Sequence, residues 1–394
     1  MLRKLTIENF FSFKGAETLD LEIARNATDP DGRFATPIEG DTVRIPRVAV
    51  IFGPNASGKT NLIRAIKFLR DFVLSSVDRE RDSALPFVPF FADDSWNSPT
   101  KFHAEFDAEF IPNTGRQLFR YELEISTNNK TVKKESLHYY PEGRPRRLFV
   151  RNGMEIVAGK DFGLQKRDPV RSQLRDNASV ISTLAKFNHP FSVAIYNNLR
   201  GIQITVPGGS SSSMTREWAT NYYQETPECF ADMKRYIRRM DLGIEGVLVE
   251  KEAAGELTPR FKHSGLTNSV RIDFESTGTE NFYNMYPAFW YVFRTGNLIA
   301  LDQFDNDIHP LLLPEIINLF QRKDENPYDA QLIMTCHDAT LLEHLVKEEV
   351  FFTEKGSDGA SHIFGLKNIQ GVRRDSNIYA KYLAGVFGAV PRVA

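Results

Sequence analysis

The chain contains little cysteine and no long apolar run. Cys229 and Cys336 are its only cysteines, too few for a disulfide framework or a cysteine-based zinc site. No window approaches the roughly 20 apolar residues that a membrane-spanning helix needs, and residues 1–8 (MLRKLTIE) lack the apolar region of a signal peptide. The sequence therefore predicts a cytoplasmic protein with no membrane partner.

The chain also lacks charge of one sign. Lys and Arg together number 49 and Asp and Glu 51, which gives a formal net charge of -2. No global electrostatic field therefore points to nucleic acid or to an anionic membrane as partner. At 394 residues the chain is long enough for a large core and for two or three folding units.

What the chain does contain is a phosphate-binding loop. Residues 53–60 read GPNASGKT, directly after the apolar run 48–52 and directly before the helix-like run 61–69. In such a loop, backbone N–H groups at a helix N-terminus bind phosphate, Lys59 reaches the β- and γ-phosphates, and the Thr60 hydroxyl ligates Mg²⁺. The predicted nucleotide-binding residues are Gly53, Pro54, Asn55, Ala56, Ser57, Gly58, Lys59, Thr60 and Asn61.

A second apolar run, residues 298–301, ends in an acid. Asp302 follows it directly, and an aspartate at the end of such a strand holds Mg²⁺ directly or through water. A buried strand that happens to end in aspartate is the alternative, but further motifs follow in order. We expect Thr60 and Asp302 to form the metal site.

Residues 274–280 (FESTGTE) stand at the head of a helix-like run and resemble the signature motif of ABC-type ATPases. A serine and a glycine at a helix N-terminus offer a hydroxyl, N–H groups and a positive dipole end to the γ-phosphate of a nucleotide on another subunit. The resemblance implies that Ser276, Gly278 and Thr279 contact nucleotide. An ordinary Ser/Thr helix cap is the alternative.

The same resemblance implies roles for two further residues. His337 ends the apolar run 331–336 and matches the switch histidine that touches the γ-phosphate or the attacking water. Gln303 stands where ABC-type heads have a glutamate that polarises this water. An amide keeps the hydrogen bond but cannot accept the proton at neutral pH. We therefore expect an ATPase that binds ATP and hydrolyses it slowly, with Asp302, Gln303 and His337 at the catalytic positions.

Two explanations of Gln303 remain open. Either the protein is a natural ATP-gated switch, or glutamine replaces a native glutamate and traps the nucleotide-bound state. The remaining elements of the site are intact, which favours the second explanation.

The hydrophobic pattern, with these motifs, predicts an α/β fold. It resembles an ABC/SMC-like P-loop ATPase head, a mixed sheet with flanking helices, into which a β-meander and a helical arm are inserted. Residues 1–85 would form the N-terminal lobe, 86–265 the inserted lid or arm, and 266–394 the C-terminal lobe. Period-two alternation predicts the meander from residue 100 to 157, and helical spacing covers 177–199 and 218–240. The sequence contains no long heptad array, so it does not predict a coiled coil.

Together these motifs resemble the compact ABC/SMC-head AAA ATPases of bacterial phage-resistance operons, such as RloA and the AriA subunit of PARIS. Further matches are residues 7–13 (IENFFSF), His309–Pro310, 335–338 (TCHD), 351–355 (FFTEK) and 382–391 (YLAGVFGAVP). The resemblance implies ATP and Mg²⁺ as cofactors and a two-fold head dimer that encloses ATP. It also implies antiviral defence by abortive infection, with a phage-derived trigger and a separate effector such as a Toprim-type nuclease.

Other function classes stay open. A DNA-repair ATPase that clamps duplex DNA would use basic stretches such as 130–134, 144–147 and 235–239. A nuclease would need an acid or histidine cluster, and none stands out beyond the ATP site. A transporter ATPase is disfavoured because no glutamine-containing loop of the usual kind lies between the P-loop and the signature.

Overall fold

A computed structural model describes residues 1–391 except 30, 82, 84, 93–94, 110–114, 127–130, 207–213, 240–242, 254, 307, 309, 311 and 374–375. Its helices are α1 (Lys59–Ser75), α2 (Val180–Lys186), α3 (Pro190–Arg200), α4 (Arg216–Glu225), α5 (Pro227–Arg239), α6 (Thr277–Thr295), α7 (Leu313–Gln321) and α8 (Ile378–Leu383). Its strands are β1 (Leu2–Glu8), β2 (Glu17–Asp20), β3 (Phe34–Ala35), β4 (Ile45–Pro46), β5 (Val48–Phe52), β6 (Thr100–Ala108), β7 (Gln117–Ser126), β8 (Thr131–Tyr139), β9 (Arg146–Asn152), β10 (Glu155–Ala158), β11 (Gln203–Thr205), β12 (Ile244–Lys251), β13 (Leu257–His263), β14 (Val270–Arg271), β15 (Leu298–Leu301), β16 (Gln331–Thr335), β17 (Val350–Lys355) and β18 (Ser361–Gly365).

A mostly parallel sheet carries the predicted motifs. Its order is β11-β15-β16-β5-β17-β18, and only β18 runs antiparallel to its neighbour. All five residues of β5 are buried, as expected for a strand covered on both faces. Parallel strands end at one edge of a sheet, so the loops after β5, β15 and β16 meet there.

The two faces of this sheet bury two separate cores. Val48, Val50 and Phe52 of β5 face one core, with residues of α6 and α7. Ala49 and Ile51 face the other, with α1 and the second large sheet. This alternation follows from the period of two along a strand, which places successive side chains on opposite faces.

The second sheet is the predicted meander. It is antiparallel, in the order β10-β9-β8-β7-β6-β1-β2. Strand β6 pairs with β1, so one sheet holds strands from both sides of residue 86; the lobe boundaries at 86 and 265 stay a prediction. Asn152 pairs with Glu155, so the hairpin turn between β9 and β10 lies at Gly153 and Met154.

The two stretches with helical spacing are each divided at a proline. Pro190 begins α3 with His189 as its N-cap, and Pro227 begins α5, because a proline lacks the N–H that a helix interior needs. The fold is thus the predicted α/β head, with its mixed sheet, flanking helices, meander and helical arm. Among the described residues, no helix has the length and apolar character needed to cross a bilayer.

Candidate nucleotide-binding site

A cleft of about 460 Å³ lies where the strand ends of the parallel sheet meet. It collects residues from the loops after β1, β5, β15 and β16, from the end of β17 and from the first turns of α1. The lining residues are Ser12, Asn55, Ala56, Ser57, Gly58, Lys59, Thr60, Asn61, Arg64, Asp302, Gln303, His337 and Lys355. The structure therefore brings the predicted phosphate loop together with the three predicted catalytic positions.

Two positions of the loop require glycine, because of their backbone angles and because a side chain would not fit there. Gly53 has φ 153° and Gly58 has φ 114°, angles that other residues rarely adopt. A Cβ on Gly53 would lie 2.3 Å from the Thr353 carbonyl oxygen, and one on Gly58 would lie 2.5 Å from Ser361 Oγ. Gly58 is also the N-cap of α1, so the positive end of that helix begins in the loop.

Replacing Gly58 by alanine is expected to destabilise the fold and to weaken nucleotide binding. The strained backbone costs about 1–3 kcal/mol, and the new Cβ displaces Ser361. Urea unfolding should show a lower midpoint than the unmodified chain. Gly15→Ala is the matched control, since its Cβ meets nothing within 4 Å. Equal midpoints for the two variants would contradict the prediction.

Lys59 points back onto its own loop. Its Nζ donates to the carbonyl oxygens of Gly53, at 2.7 Å, and Pro54, at 3.0 Å. Burial lowers the pKa of Lys59, while the nearby carboxylates of Asp302 and Asp305 act in the opposite direction. Phosphate oxygens accept a charge-assisted hydrogen bond more strongly than neutral carbonyls do. Lys59 is therefore suited to bind phosphate in this cleft.

Asp302 offers a free oxygen for a metal. The carboxylate is buried, and its Oδ1 accepts from Thr335 Oγ1 at 2.7 Å. Its Oδ2 is buried without a hydrogen-bond partner among the described residues. A buried carboxylate oxygen normally has a partner, and oxygen is the ligand that Mg²⁺ takes. Asp302, with the Thr60 hydroxyl in the same cleft, thus fits the predicted Mg²⁺.

Thr335 also forms a hydrogen bond with Gln303, the residue after Asp302. Its Oγ1 accepts from the backbone N–H of Gln303 at 2.7 Å. Gln303 has φ 55°, an uncommon backbone for a residue other than glycine, and its Oε1 accepts from Asn306 Nδ2 at 3.1 Å. Its side chain lines the cleft. The position is therefore fixed by neighbours from two strands.

His337 is positioned through Asp305. The Oδ2 atom of Asp305 accepts from the backbone N–H groups of His337, at 2.6 Å, and Asp338, at 2.9 Å. Burial, with the charge of Lys59, lowers the pKa of His337, so its ring is neutral at pH 7. His309, of the predicted match at His309–Pro310, lies outside the described residues.

The signature-like residues lie apart from this cleft. Ser276 is the N-cap of α6, and its Oγ accepts from the Thr279 N–H at 3.1 Å. Neither Ser276 nor Gly278 nor Thr279 lines the cleft of its own chain. Within one chain Ser276 acts as the ordinary cap that was the alternative. Contact with nucleotide would need a second subunit.

Sequence reasoning missed Arg64 and Lys355 as cleft residues. Arg64 lies on α1 one turn after Thr60, and Lys355 ends β17. The i, i+4 spacing from Thr60 would have indicated Arg64. Lys355 had no such local signal, because only the strand order places β17 beside β5.

Several side chains of the basic stretches face carboxylates. Lys130 lies outside the described residues. The ion pairs are Lys134–Glu122 at 3.5 Å, Arg146–Asp161 at 3.6 Å, Arg235–Asp232 at 2.6 Å and Arg239–Glu325 at 4.0 Å. Such pairing is typical of a solvated surface and reduces the local positive potential.

Comparison with known proteins gave a family and several structural likenesses. The model of a family described as "AAA domain, putative AbiEii toxin, Type IV TA system" matches residues 48–343. The curated proteins gave no match. The solved structures include the SMC head domain from Thermotoga maritima, 16% identical over 92% of this chain and 98% of that chain, with a TM-score of 0.42.

Two archaeal Smc head domains show a similar likeness. One, from Pyrococcus furiosus with an extended coiled coil and bound to the C-terminal domain of ScpA, is 13% identical over 98% of this chain and 99% of that chain, with a TM-score of 0.45. The other, from Pyrococcus yayanosii with a coiled coil and joint, is 11% identical over 92% of this chain and 96% of that chain, with a TM-score of 0.46.

Proposed function

The chain belongs to the family of AAA domains described as putative AbiEii toxin, type IV toxin–antitoxin system, and from that membership we propose that it is an ATP-dependent switch in antiviral defence. It binds ATP with Mg²⁺, hydrolyses ATP slowly, and holds or activates a separate toxic effector when a phage product appears. The observation that carries the ATP chemistry is the cleft, which joins the glycine loop and Lys59 to the partnerless Oδ2 of Asp302.

The predicted site residues of the cleft have distinct tasks in this proposal. The loop N–H groups and Lys59 bind the phosphates. Thr60 and Asp302 would hold Mg²⁺, which would supply positive charge against the phosphate oxygens. Gln303 orients the attacking water without taking its proton. His337, kept neutral by its surroundings, hydrogen-bonds the terminal phosphate.

We propose further that ATP joins two heads into a two-fold dimer. Ser276 and Gly278 stand outside the cleft of their own chain, so a second chain supplies them. The turn before α6 is braced by Arg216, which pairs with Asp273 and Glu280. It presents Phe274, which is 79% exposed, next to Ser276. In the proposed dimer, Phe274 would lie at the interface beside Ser276.

The defence role rests on the family description and on the motifs shared with phage-resistance ATPases. Residues 86–265 act as the lid or arm that senses the phage trigger or holds the effector, for which a Toprim-type nuclease is the candidate. The protein works in the cytoplasm. The ion pairs of the basic stretches leave the DNA-clamping alternative without a specific observation in its favour.

The test is the mass of the purified chain in solution, with and without ATP and Mg²⁺, with bound nucleotide quantified. The unmodified chain should form an ATP-loaded dimer, and Lys59→Ala should stay a nucleotide-free monomer because it removes the cation that binds phosphate. Lys160→Ala, which removes an exposed charge outside the cleft, should behave as the unmodified chain. A Lys59→Ala chain that kept ATP-dependent dimerisation and phage protection would contradict the proposal.

A further inference from the structure

One part of the cleft has no task in phosphate or metal chemistry. It consists of Arg64 on α1 and Ser12 in the loop after β1, and Phe11 of the same loop lies against Arg64. We propose that Arg64, stacked on Phe11, forms a base shelf: its guanidinium plane stacks on the purine ring of the nucleotide and so makes the cleft select a nucleotide over a bare polyphosphate. This inference rests on the proposed function.

The guanidinium group of Arg64 is held in position by two neighbouring residues. Its Cζ lies 5.4 Å from the centroid of the Phe11 ring, and its Nη1 donates to Asn61 Oδ1 at 3.1 Å. Within the described part of the chain, no carboxylate forms an ion pair with it. Phe11 lies against the guanidinium, and Arg64 itself lines the cleft. Arginine planes with an open face are established partners of nucleobases.

Phe11 is held firmly enough to support the shelf. It has φ 47°, which for a bulky residue is an outlier that marks strain maintained by its surroundings. Its N–H donates to the Val88 carbonyl oxygen at 2.9 Å, and its ring meets Phe10 edge-on at 4.7 Å between centroids. A strained residue whose ring is fixed against Arg64 is suited to position that side chain.

The loop that carries Phe11 is also tied to the phosphate loop. Ser12 Oγ accepts from Asn61 Nδ2 and from Ser361 Oγ, each at 2.8 Å, and it lies 3.2 Å from the position of a Cβ on Gly58. With both acceptor positions used, its own hydrogen remains to donate to a ligand.

The order of the residues along α1 indicates which way a bound nucleotide would lie in the cleft. Thr60 is the proposed metal ligand, and Arg64 follows one turn later on the same face of the helix. The metal and the terminal phosphate occupy the end of the cleft near Asp302, Gln303 and His337. The base of a nucleotide then lies toward Arg64.

The test compares ATP with inorganic tripolyphosphate, each with Mg²⁺, by isothermal titration. The measure is the ratio of the two affinities. Arg64→Lys keeps the charge but removes the plane, so it should weaken ATP about tenfold, the size of one stacking contact, and leave tripolyphosphate unchanged. Phe11→Leu should act in the same direction. Arg70→Lys, on the same helix but outside the cleft, should leave the ratio as it is.

Each of the following outcomes would contradict the inference, and each has a different meaning. An equal loss for both ligands in Arg64→Ala, rescued by Arg64→Lys, would make Arg64 a phosphate contact. An unchanged ratio in Arg64→Lys would remove the stacking role. A wild-type chain that bound tripolyphosphate and ATP equally would show that no base shelf exists. A wild-type chain that bound neither ligand would instead refute the proposed function itself.

Discussion

Replacing Gln303 by glutamate is expected to raise steady-state ATP turnover by about 10²–10⁴-fold, the usual contribution of a positioned general base. A glutamine amide orients water but cannot take its proton, whereas a glutamate carboxylate does both. Phosphate release at saturating ATP and Mg²⁺ measures the change. ATP affinity should stay within a factor of a few, because the phosphate-binding residues are unaltered.

The surroundings of Gln303 accept the substitution. The contact with Asn306 Nδ2 uses the side-chain oxygen of Gln303, which a carboxylate supplies equally well. The contact with Thr335 uses the backbone N–H, which is present in any residue other than proline. The site is therefore shaped for either side chain, and the difference lies in proton transfer alone.

Two controls make the result specific. Gln303→Ala should show no gain, and Gln303→Glu combined with Lys59→Ala should bind no ATP. If Gln303→Glu bound ATP and turned it over no faster, a general base at this position would not limit hydrolysis. The protein would then act as a natural ATP-gated switch, with glutamine as the native residue at position 303.

Local motifs account for the part of the site that sequence could predict. The apolar run 48–52 is β5 with the predicted bounds, and α1 starts at Lys59, two residues before the predicted helix-like run. A phosphate loop needs a strand, glycines and a helix in direct succession, and this order is readable within about 20 residues. Asp302 and His337 were found in the same way, as polar residues at strand ends.

The missed residues reach the cleft through long-range pairing. Lys355 lines the cleft because β17 lies beside β5. Arg64 has its ring partner, Phe11, more than 50 residues away in the chain. Thr335 was seen only as part of a motif, yet it links Asp302 to Gln303 because β15 and β16 are neighbours. Strand order decides all such contacts, and sequence periodicity gives strands without giving their order.

The two-fold arrangement predicts that two inactive chains restore each other. With Gln303→Glu as the active parent, Lys59→Ala removes phosphate binding, and Ser276→Arg places a bulky cation where a partner's nucleotide would approach. Ser276 is exposed and only caps α6, so the second change leaves the fold intact. Each variant alone should be inactive, because two copies of the same variant cannot form an intact composite site.

Mixing the two variants in equal amounts should recover ATP turnover, up to about half of the parent value. Each pair of unlike chains has one composite site with both defects and one with none, whereas two copies of the same variant form no intact site. The control places both changes in one chain and mixes it with the parent. Every mixed dimer then has two damaged sites, so turnover should not exceed that of the parent pairs alone. Turnover above that of the parent pairs in this control would show that Ser276 does not act on the partner's nucleotide. A first mixture without turnover would show the same.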